Sequence, residues 1–269
     1  MFPIFQLGPL AIQVPGLFLL AGIWIGTWMV DKEAPRYRLS TNYISNLIFI
    51  GLVVGIVGAR LAYVLRFLNV YLDDPLGVFA LNTNTLSPIE GILSGLTAAL
   101  IYGQRKDLPL WKTLDVLTPS LAIFALAYGF SHLSSGDAFG APTTVSWGVE
   151  LWGDRRHPTQ IYEIISGSLV FILIWRLRTR TPFTGFLFLS WVSLTALSRL
   201  LIEAFRGDSV IVFNSLRSAQ LVSLLILLAS LAGLHLLARR LATNTIPREK
   251  LPSESVSPKD GSSSTGKRS

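Results

Sequence analysis

The sequence contains no cysteine, which excludes disulfides, a cysteine nucleophile and thiolate metal ligands. Histidine is also scarce, with three in 269 residues, so we expect no histidine-rich metal site. Charged residues make up only 14% of the chain, whereas soluble domains carry about 25%. The shortage of charge, combined with long apolar runs, favours a membrane protein.

Hydrophobic stretches recur along the chain, and seven of them are long enough to cross a bilayer core of about 30 Å, which takes roughly 20 helical residues. They lie at 10–30, 43–67, 86–104, 112–132, 160–177, 183–205 and 218–239. No lysine or arginine precedes Lys32, so the first stretch lacks the basic region of a signal peptide. We therefore predict an all-α, polytopic protein with about seven transmembrane helices in one membrane domain, 1–242.

Most lysines and arginines follow the first, third, fifth and seventh hydrophobic stretches. The positive-inside rule then predicts an N-terminus outside and a cytoplasmic C-terminus. The net charge of +7 is explained by these membrane edges, and no RNA- or DNA-binding motif accompanies it, so we expect no nucleic-acid partner. Residues 243–269 are rich in Ser, Lys, Pro and Gly, which predicts a disordered cytoplasmic tail.

Three polar clusters lie within or beside the predicted spans, where an unpaired charge is costly. In SRLLIEAFRGD (198–208), Arg199, Glu203 and Arg206 recur at helical spacing on one face. Two guanidinium groups around one carboxylate can bind a phosphate, or can form a structural clasp between helices. In GARLAYVLRF (58–67), Arg60 and Tyr63 are one turn apart and either meet a lipid headgroup or anchor the helix end.

The third cluster is HPTQIYE (157–163), which leads into the fifth hydrophobic stretch. His157 can act as an acid or base near neutral pH, and Tyr162 or Glu163 can orient it or a substrate. Gln160 lies one turn before Glu163. A polar helix start with snorkelling side chains is the alternative. Because all three clusters fall toward the outer half of the predicted bilayer, together they indicate a cavity for an anionic lipid headgroup.

The motifs RHPTQIYE, GARLAYVL and RLLIEAFRGD, with the weaker matches DVLTPSLA, FGAPT and WGV, resemble those of the bacterial prolipoprotein diacylglyceryl transferases. The motifs stand in the family's order and span most of the chain. The resemblance implies an enzyme of the bacterial plasma (inner) membrane that needs no cofactor. It moves diacylglyceryl from phosphatidylglycerol to a lipobox cysteine beside the signal peptide of a prolipoprotein, and glycerol phosphate leaves. The partners are therefore phosphatidylglycerol, the prolipoprotein and the lipid bilayer.

From the chemistry of these clusters we predict roles for individual residues in such a reaction. Arg199 and Arg206 would hold the lipid phosphate, with Glu203 between them, and His157 would be the acid or base. The predicted catalytic residues are His157, Tyr162, Glu163, Arg199 and Glu203. The predicted substrate-binding residues are Arg60, Tyr63, His132, Gln160 and Arg206.

The chain departs from the family pattern at several positions. A histidine and the first of two glycines are replaced by Ile89 and Glu90, while Gly91 keeps the second glycine. A signature arginine is replaced by Gly129, an asparagine by Ser135, and the tyrosine of a tyrosine–glycine pair by Pro15, before Gly16. His132 lies one helical turn after Gly129 and, together with Glu90, is a candidate for partly rebuilding the polar site. Two hypotheses follow, a divergent transferase and a homologue that binds lipid or lipoprotein without transferring anything.

Overall fold

The computed structural model describes residues 4–7, 10–73, 75–79, 85–151, 153–212 and 216–245. Within these ranges the chain is mainly helical. The helices are α1 Val14–Glu33, α2 Thr41–Arg66, α3 Leu68–Asp73, α4 Pro88–Arg105, α5 Leu110–Ser135, α6 Thr159–Leu177, α7 Phe186–Ile202 and α8 Ser218–Thr245. Short 3-10 helices cover Ala34–Tyr37, Pro75–Phe79 and Glu203–Phe205.

Three two-stranded antiparallel hairpins complete the described part of the chain, and the sequence did not predict them. They pair β1 Ile4–Leu7 with β2 Leu10–Gln13, β3 Val149–Leu151 with β4 Asp154–Arg156, and β5 Ile211–Val212 with β6 Leu216–Arg217. Each hairpin directly precedes a helix or a helix-start loop, namely α1, α6 and α8. The hairpins therefore fix the chain where it approaches a long helix.

Six helices of the described residues, α1, α2, α5, α6, α7 and α8, are long and apolar enough to span a membrane. Their outer faces expose large apolar side chains such as Trp24 and Leu65, as contact with lipid requires. Helix α4, at the third predicted stretch, has 18 residues with Glu90 near its start and Arg105 at its end. The all-α, multi-pass architecture is confirmed, while a seventh span and the orientation remain predictions.

Two predicted boundaries change. The first helix was expected from residue 10, but Leu10–Gln13 pairs as strand β2, and α1 begins at Val14 with Pro15 in its first turn, where the missing N–H costs nothing. Helix α8 ends at Thr245, so its last residues overlap the start of the tail predicted from about 243, and the disorder of the tail stays a prediction. The rest of the tail, from 246 onward, lies outside the described residues.

The helices pack as a chain of neighbours, α1 on α5, α5 on α6 and α7, and α7 on α8, while α2 packs mainly on α4. Glycines permit the close approach of α2 and α4. A Cβ atom added at Gly95 would lie 2.6 Å from the carbonyl oxygen of Gly51, and one at Gly91 would lie 2.9 Å from that of Gly55. Small residues at such crossings let helix backbones touch in a membrane. The α2–α4 pair is thus a unit beside the α5–α6–α7 core.

Asp115 of α5 caps the start of α7 from inside the bundle. Its side chain is fully buried and accepts hydrogen bonds from the backbone N–H groups of Gly185 at 2.6 Å and Phe188 at 3.0 Å. Gly185 has φ +90°, a left-handed conformation that favours glycine. A carboxylate at this position also complements the positive end of the α7 dipole. Asp115 therefore fixes α7 relative to α5.

We expect Asp115→Asn to lower the free energy of unfolding by about 2 kcal/mol, because a buried backbone donor loses its acceptor. Asparagine offers one acceptor oxygen and turns its N–H₂ group toward the second backbone donor. Thermal unfolding of the purified protein in detergent measures the change. Asp107→Asn is the matched control, since Asp107 is exposed and has φ +51°, which asparagine tolerates. Unfolding of Asp115→Asn at the wild-type temperature would contradict the capping role.

Candidate active site

The polar start of α6 is tied to the end of α5 by two buried side chains. The hydroxyl of Thr159 donates to the backbone carbonyl oxygen of Ala138 at 2.6 Å. The side-chain amide of Gln160 donates to the backbone carbonyl oxygen of Asp137 at 2.9 Å. Gly136, with φ +86°, ends α5 and lets the chain turn toward this contact. Gln160, predicted to bind substrate, is only 1% exposed and in the structure fixes the loop between α5 and α6.

Glu163, one turn into α6, is the centre of the polar cluster. One carboxylate oxygen, Oε2, lies 2.8 Å from Nδ1 of His132 on α5. The other, Oε1, lies 2.8 Å from Nη1 of Arg206 and 3.4 Å from Nη1 of Arg199. The side chain is 13% exposed, so these partners compensate for much of its lost hydration. One carboxylate thereby joins three segments that are distant in sequence.

The predicted Arg–Glu–Arg arrangement is present at the end of α7. Oε2 of Glu203 lies 3.2 Å from Nε of Arg199 and 3.7 Å from Nε of Arg206. Its other oxygen accepts a hydrogen bond from the hydroxyl of Ser209 at 2.5 Å. Glu203 is 2% exposed, and Arg217 donates to its backbone carbonyl. Both arginines are thus paired with two carboxylates, Glu203 from the end of α7 and Glu163 from α6.

The two arginines have different environments. Arg206 is 9% exposed, and its Nε and Nη2 groups donate to both oxygens of Asp208 at 2.9 and 2.7 Å. Burial lowers the pKa of Arg206, but the hydrogen bonds and charge of Asp208, with Glu163 and Glu203, outweigh burial and raise the net pKa above its ordinary value. Arg199 is 40% exposed. Arg206 is therefore enclosed by carboxylates, whereas Arg199 still reaches open space.

A cavity of about 140 Å³ opens beside this cluster, between α5, α6 and α7. Glu163 and Arg199 line it together with Gly129 at the end nearer the α5–α6 loop. Farther along the same helices its walls are mainly small and apolar, and they include Ala122 and Val170. The cavity is thus charged at one end and hydrocarbon-like at the other. Such a division matches a phospholipid, whose headgroup is charged and whose chains are apolar.

His157 belongs to an adjacent aromatic group rather than to the Glu163 cluster. Its Nδ1 lies 3.4 Å from the hydroxyl of Tyr162, and its ring meets Phe205 edge-on at 5.1 Å between centroids. The indole N–H of Trp147 donates to the same Tyr162 hydroxyl at 2.8 Å. Tyr162 precedes Glu163, and Phe205 precedes Arg206, so the two groups are neighbours. Trp147 was not among the predicted site residues.

Arg60 and Tyr63 lie on α2, outside this cluster. The Arg60 guanidinium donates to the backbone carbonyls of Gly77 at 2.6 Å, Val78 at 2.9 Å and Thr85 at 2.9 Å, and it lies over the ring of Tyr71. Arg60 therefore fixes the segment between α2 and α4, and the structure does not join it to Arg199.

The ring of Tyr63 packs on Phe67 at 4.7 Å between centroids. Glu90 pairs with Arg66 at 2.6 Å, while His132 pairs with Glu163, so the structure does not bring Glu90 and His132 into one polar cluster. The reason is that α4 packs along α2 and not against the end of α5.

The motifs, their order and the helical architecture agree with a comparison against known families, in which the model of prolipoprotein diacylglyceryl transferase matches residues 3–236. The chain belongs to the prolipoprotein diacylglyceryl transferase family. A phosphatidylglycerol–prolipoprotein diacylglyceryl transferase of Trichormus variabilis is 31% identical over 95% of this chain and 93% of its own length. Proteins of the same name from Nostoc sp. and Halalkalibacterium halodurans are 31% and 30% identical, over 85% and 84% of this chain and 86% and 82% of their own lengths.

Gly129 is the position at which the resemblance to the family leads us to expect an arginine. A Cβ atom added there would lie 3.2 Å from Cγ1 of Ile164 and 3.6 Å from its backbone nitrogen. The glycine therefore lets α5 pack closely on α6 one turn before His132. His132 contacts Glu163 close to this point of packing. The helices predicted from the sequence did not indicate that these two side chains would meet.

Asp208 and Tyr128 are further members of the site that sequence reasoning missed. Asp208 follows Arg206 by two residues in SRLLIEAFRGD, and an acidic side chain this close to an arginine could have indicated their ion pair. Tyr128 lines the cavity and packs on the ring of His132 at 4.1 Å between centroids. Among the described residues, no group of three or more histidine, aspartate and glutamate side chains is arranged to hold a metal ion.

Proposed function

We propose that this protein transfers diacylglyceryl from phosphatidylglycerol to the lipobox cysteine of a prolipoprotein in the bacterial plasma membrane. The observation that carries the proposal is the half-exposed Arg199 beside Glu163 at the charged end of a cavity whose remaining walls are mainly apolar. An anionic headgroup would meet Arg199, and glyceryl and acyl groups would meet the apolar walls. The family and the names of the relatives support this substrate pair.

The proposed reaction is a substitution at the glyceryl carbon that carries the phosphate ester. The cysteine sulfur forms a bond to this carbon, the bond from carbon to the ester oxygen breaks, and glycerol phosphate leaves with the electron pair. The thiol proton passes to a base, because the thiolate is the reactive nucleophile. The substrate supplies the sulfur, so a chain without cysteine meets the requirement.

Arg199 is our candidate for the leaving phosphate, since cationic donors stabilise charge that develops in the transition state. Arg206 is already bound by Asp208 and Glu163, so we assign it to holding these carboxylates in position. We assign the proton to His132, because Glu163 contacts both its Nδ1 and Arg199 and so links base and phosphate site. His157, the base predicted from sequence, stays a candidate with Tyr162.

The second candidate function is lipid binding without transfer. Gly129, packed against Ile164 where the family motif has an arginine, favours it, because one cation of the family site is absent. The carboxylates around Arg206 also reduce the positive charge available to a phosphate. This alternative predicts a phosphatidylglycerol complex that yields no lipidated product.

We expect the purified protein to add a diacylglyceryl group to a synthetic lipobox peptide when phosphatidylglycerol is present. The mass of the peptide measures the addition, and phosphatidylglycerol with isotope-labelled acyl chains identifies the donor. The same peptide with its cysteine replaced by serine is the control and is expected to gain no mass. Folded protein that binds phosphatidylglycerol but leaves the cysteine peptide unchanged would reject transfer in favour of lipid binding alone.

A further inference from the structure

A second polar cavity lies at the opposite end of the helices. Its volume is about 420 Å³. Basic side chains and threonine hydroxyls form most of its lining, and we call it the basic pocket: Arg36, Arg38, Lys112, Arg178, Thr179 and Thr181. Neither the proposed reaction nor the resemblance to the transferase family uses these residues.

Three separate segments contribute the basic pocket. Arg36 lies in the 3-10 helix that follows α1, and Arg38 comes next with φ +57°. Lys112 lies in the first turn of α5, and Arg178 directly follows the last residue of α6. Arg36 also donates to the backbone carbonyl of Arg178 at 3.3 Å, which ties the end of α1 to the end of α6. The fold, rather than a run of basic sequence, gathers these cations.

The charges of the basic pocket are only partly compensated. Glu33 is fully buried beneath it and pairs with Arg36 at 3.4 Å and with Arg178. The nearby Asp115 accepts backbone hydrogen bonds at the start of α7 instead. Within the described ranges, neither Arg38 nor Lys112 forms an ion pair within 4 Å. Four cations therefore share one paired carboxylate, and the excess positive charge favours an anion.

The surroundings of Arg178 further indicate that the basic pocket binds an anion. Its guanidinium stacks on Trp175, 3.3 Å from the ring centroid, and its Nε atom is buried without a hydrogen-bond partner among the described residues. A buried N–H donor without an acceptor is costly. Phosphate oxygens are suitable acceptors for a guanidinium, and Arg178 lines the basic pocket.

Tryptophans place the basic pocket at the membrane surface. Trp175 lies in the last turn of α6, Trp111 in the first turn of α5, and Trp28 near the end of α1, where Lys32 lies over its ring at 5.8 Å. Tryptophan is enriched at the level of the lipid headgroups. Lys112 and the active-site His132 lie near opposite ends of α5, which separates them by about 30 Å along the helix.

We propose that the basic pocket binds a phosphate-bearing anion, with the headgroup of an anionic phospholipid in the leaflet opposite the active site as its source. The phosphate would lie between Arg38, Lys112 and Arg178, and the acyl chains would extend along the exposed apolar faces of α1 and α6. The bound lipid would join the ends of α1, α5 and α6. This proposal does not depend on transfer activity.

The test compares two double variants of the full chain in neutral detergent. R38Q/K112Q removes two cations of the basic pocket that make no ion pair with a described carboxylate, so it leaves the Glu33 contacts intact. R239Q/R240Q removes the same charge from the exposed end of α8, toward the same side of the membrane, and is the matched control. Native mass spectrometry measures retention of phosphatidic acid, with zwitterionic phosphatidylcholine as the comparison lipid.

We expect phosphatidic acid to bind the wild type more tightly than phosphatidylcholine, with about tenfold weaker binding in R38Q/K112Q and no change in R239Q/R240Q. Inorganic phosphate is tested separately by its effect on the unfolding temperature. Stabilisation by phosphate that R38Q/K112Q abolishes, without a preference for phosphatidic acid, would retain the anion site but assign it to free phosphate. Equal losses of lipid in the two double variants, with both folded, would overturn the site.

Discussion

Glu163→Gln is expected to reduce transfer by on the order of 100-fold, because the substitution removes the carboxylate charge that links His132 to Arg199 and Arg206. Glutamine keeps the size of the side chain but brings no negative charge to Arg199 and Arg206. It also has one acceptor oxygen in place of two, so its N–H₂ group must face either His132 or an arginine. The base and the phosphate ligand would then lose their fixed relation, which positioning effects make costly.

The same substitution is expected to lower the free energy of unfolding by about 3 kcal/mol, since it leaves a buried arginine with one partner fewer. Transfer to the lipobox peptide and thermal unfolding in detergent are measured on the same preparation, with activity assayed well below the unfolding temperature. Glu150→Gln is the matched control, because Glu150 is exposed on β3 and outside the cluster. Wild-type transfer by folded Glu163→Gln would remove Glu163 from the proposed mechanism.

The contacts of Glu163 show how far the sequence could predict this site. Hydropathy located the long helices, because lipid-facing surfaces must be apolar over a known length. Helical spacing predicted that Arg199, Glu203 and Arg206 share a helix face. The structure pairs Glu203 with both arginines, although α7 ends at Ile202 and Arg206 follows a 3-10 turn in extended conformation. These features depend on local geometry, which sequence patterns report directly.

Contacts between helices depend on their relative register, and this was not predictable from patterns. His132 and Glu163 meet because α5 packs on α6 at Gly129, and nothing in either segment specifies that register alone. Arg60 shows the opposite case. It resembled Arg199 as a charged residue near a helix end, but the segment after α2 folds back and occupies its donors with backbone carbonyls. Tertiary contacts therefore decided which arginine stays available.

The two functional hypotheses explain the packing at Gly129 and the pairing of His132 with Glu163 in different ways. At Gly129, where the resemblance leads us to expect an arginine, α5 and α6 approach closely, and His132 contacts the carboxylate of Glu163. In a divergent transferase this pair supplies an acid–base group and Arg199 supplies the phosphate contact. In a lipid-binding homologue the same pair closes the space that a second cation would have occupied. Both hypotheses leave Arg199 as the exposed cation of the cavity, so its substitution is informative in either case.

Arg199→Ala is expected to reduce transfer by about 1,000-fold, because it removes the cation proposed to stabilise the leaving phosphate. Its effect on the unfolding temperature should be small, since Arg199 is 40% exposed and partly exposed ion pairs contribute little. Arg206→Ala should behave in the opposite way and lower the free energy of unfolding by about 3–5 kcal/mol, because Asp208, Glu203 and Glu163 would be left without their buried partner.

Transfer, phosphatidylglycerol binding and thermal unfolding of both variants separate these roles. Arg176→Ala is the control, because Arg176 is exposed in the last turn of α6, at the end away from the cavity. If the wild type binds phosphatidylglycerol without transferring it, Arg199→Ala should still weaken that binding, since the phosphate contact is common to both hypotheses. Normal transfer and normal lipid binding by folded Arg199→Ala would show that the phosphate lies elsewhere, and Arg206 would then have to exchange a carboxylate for the substrate.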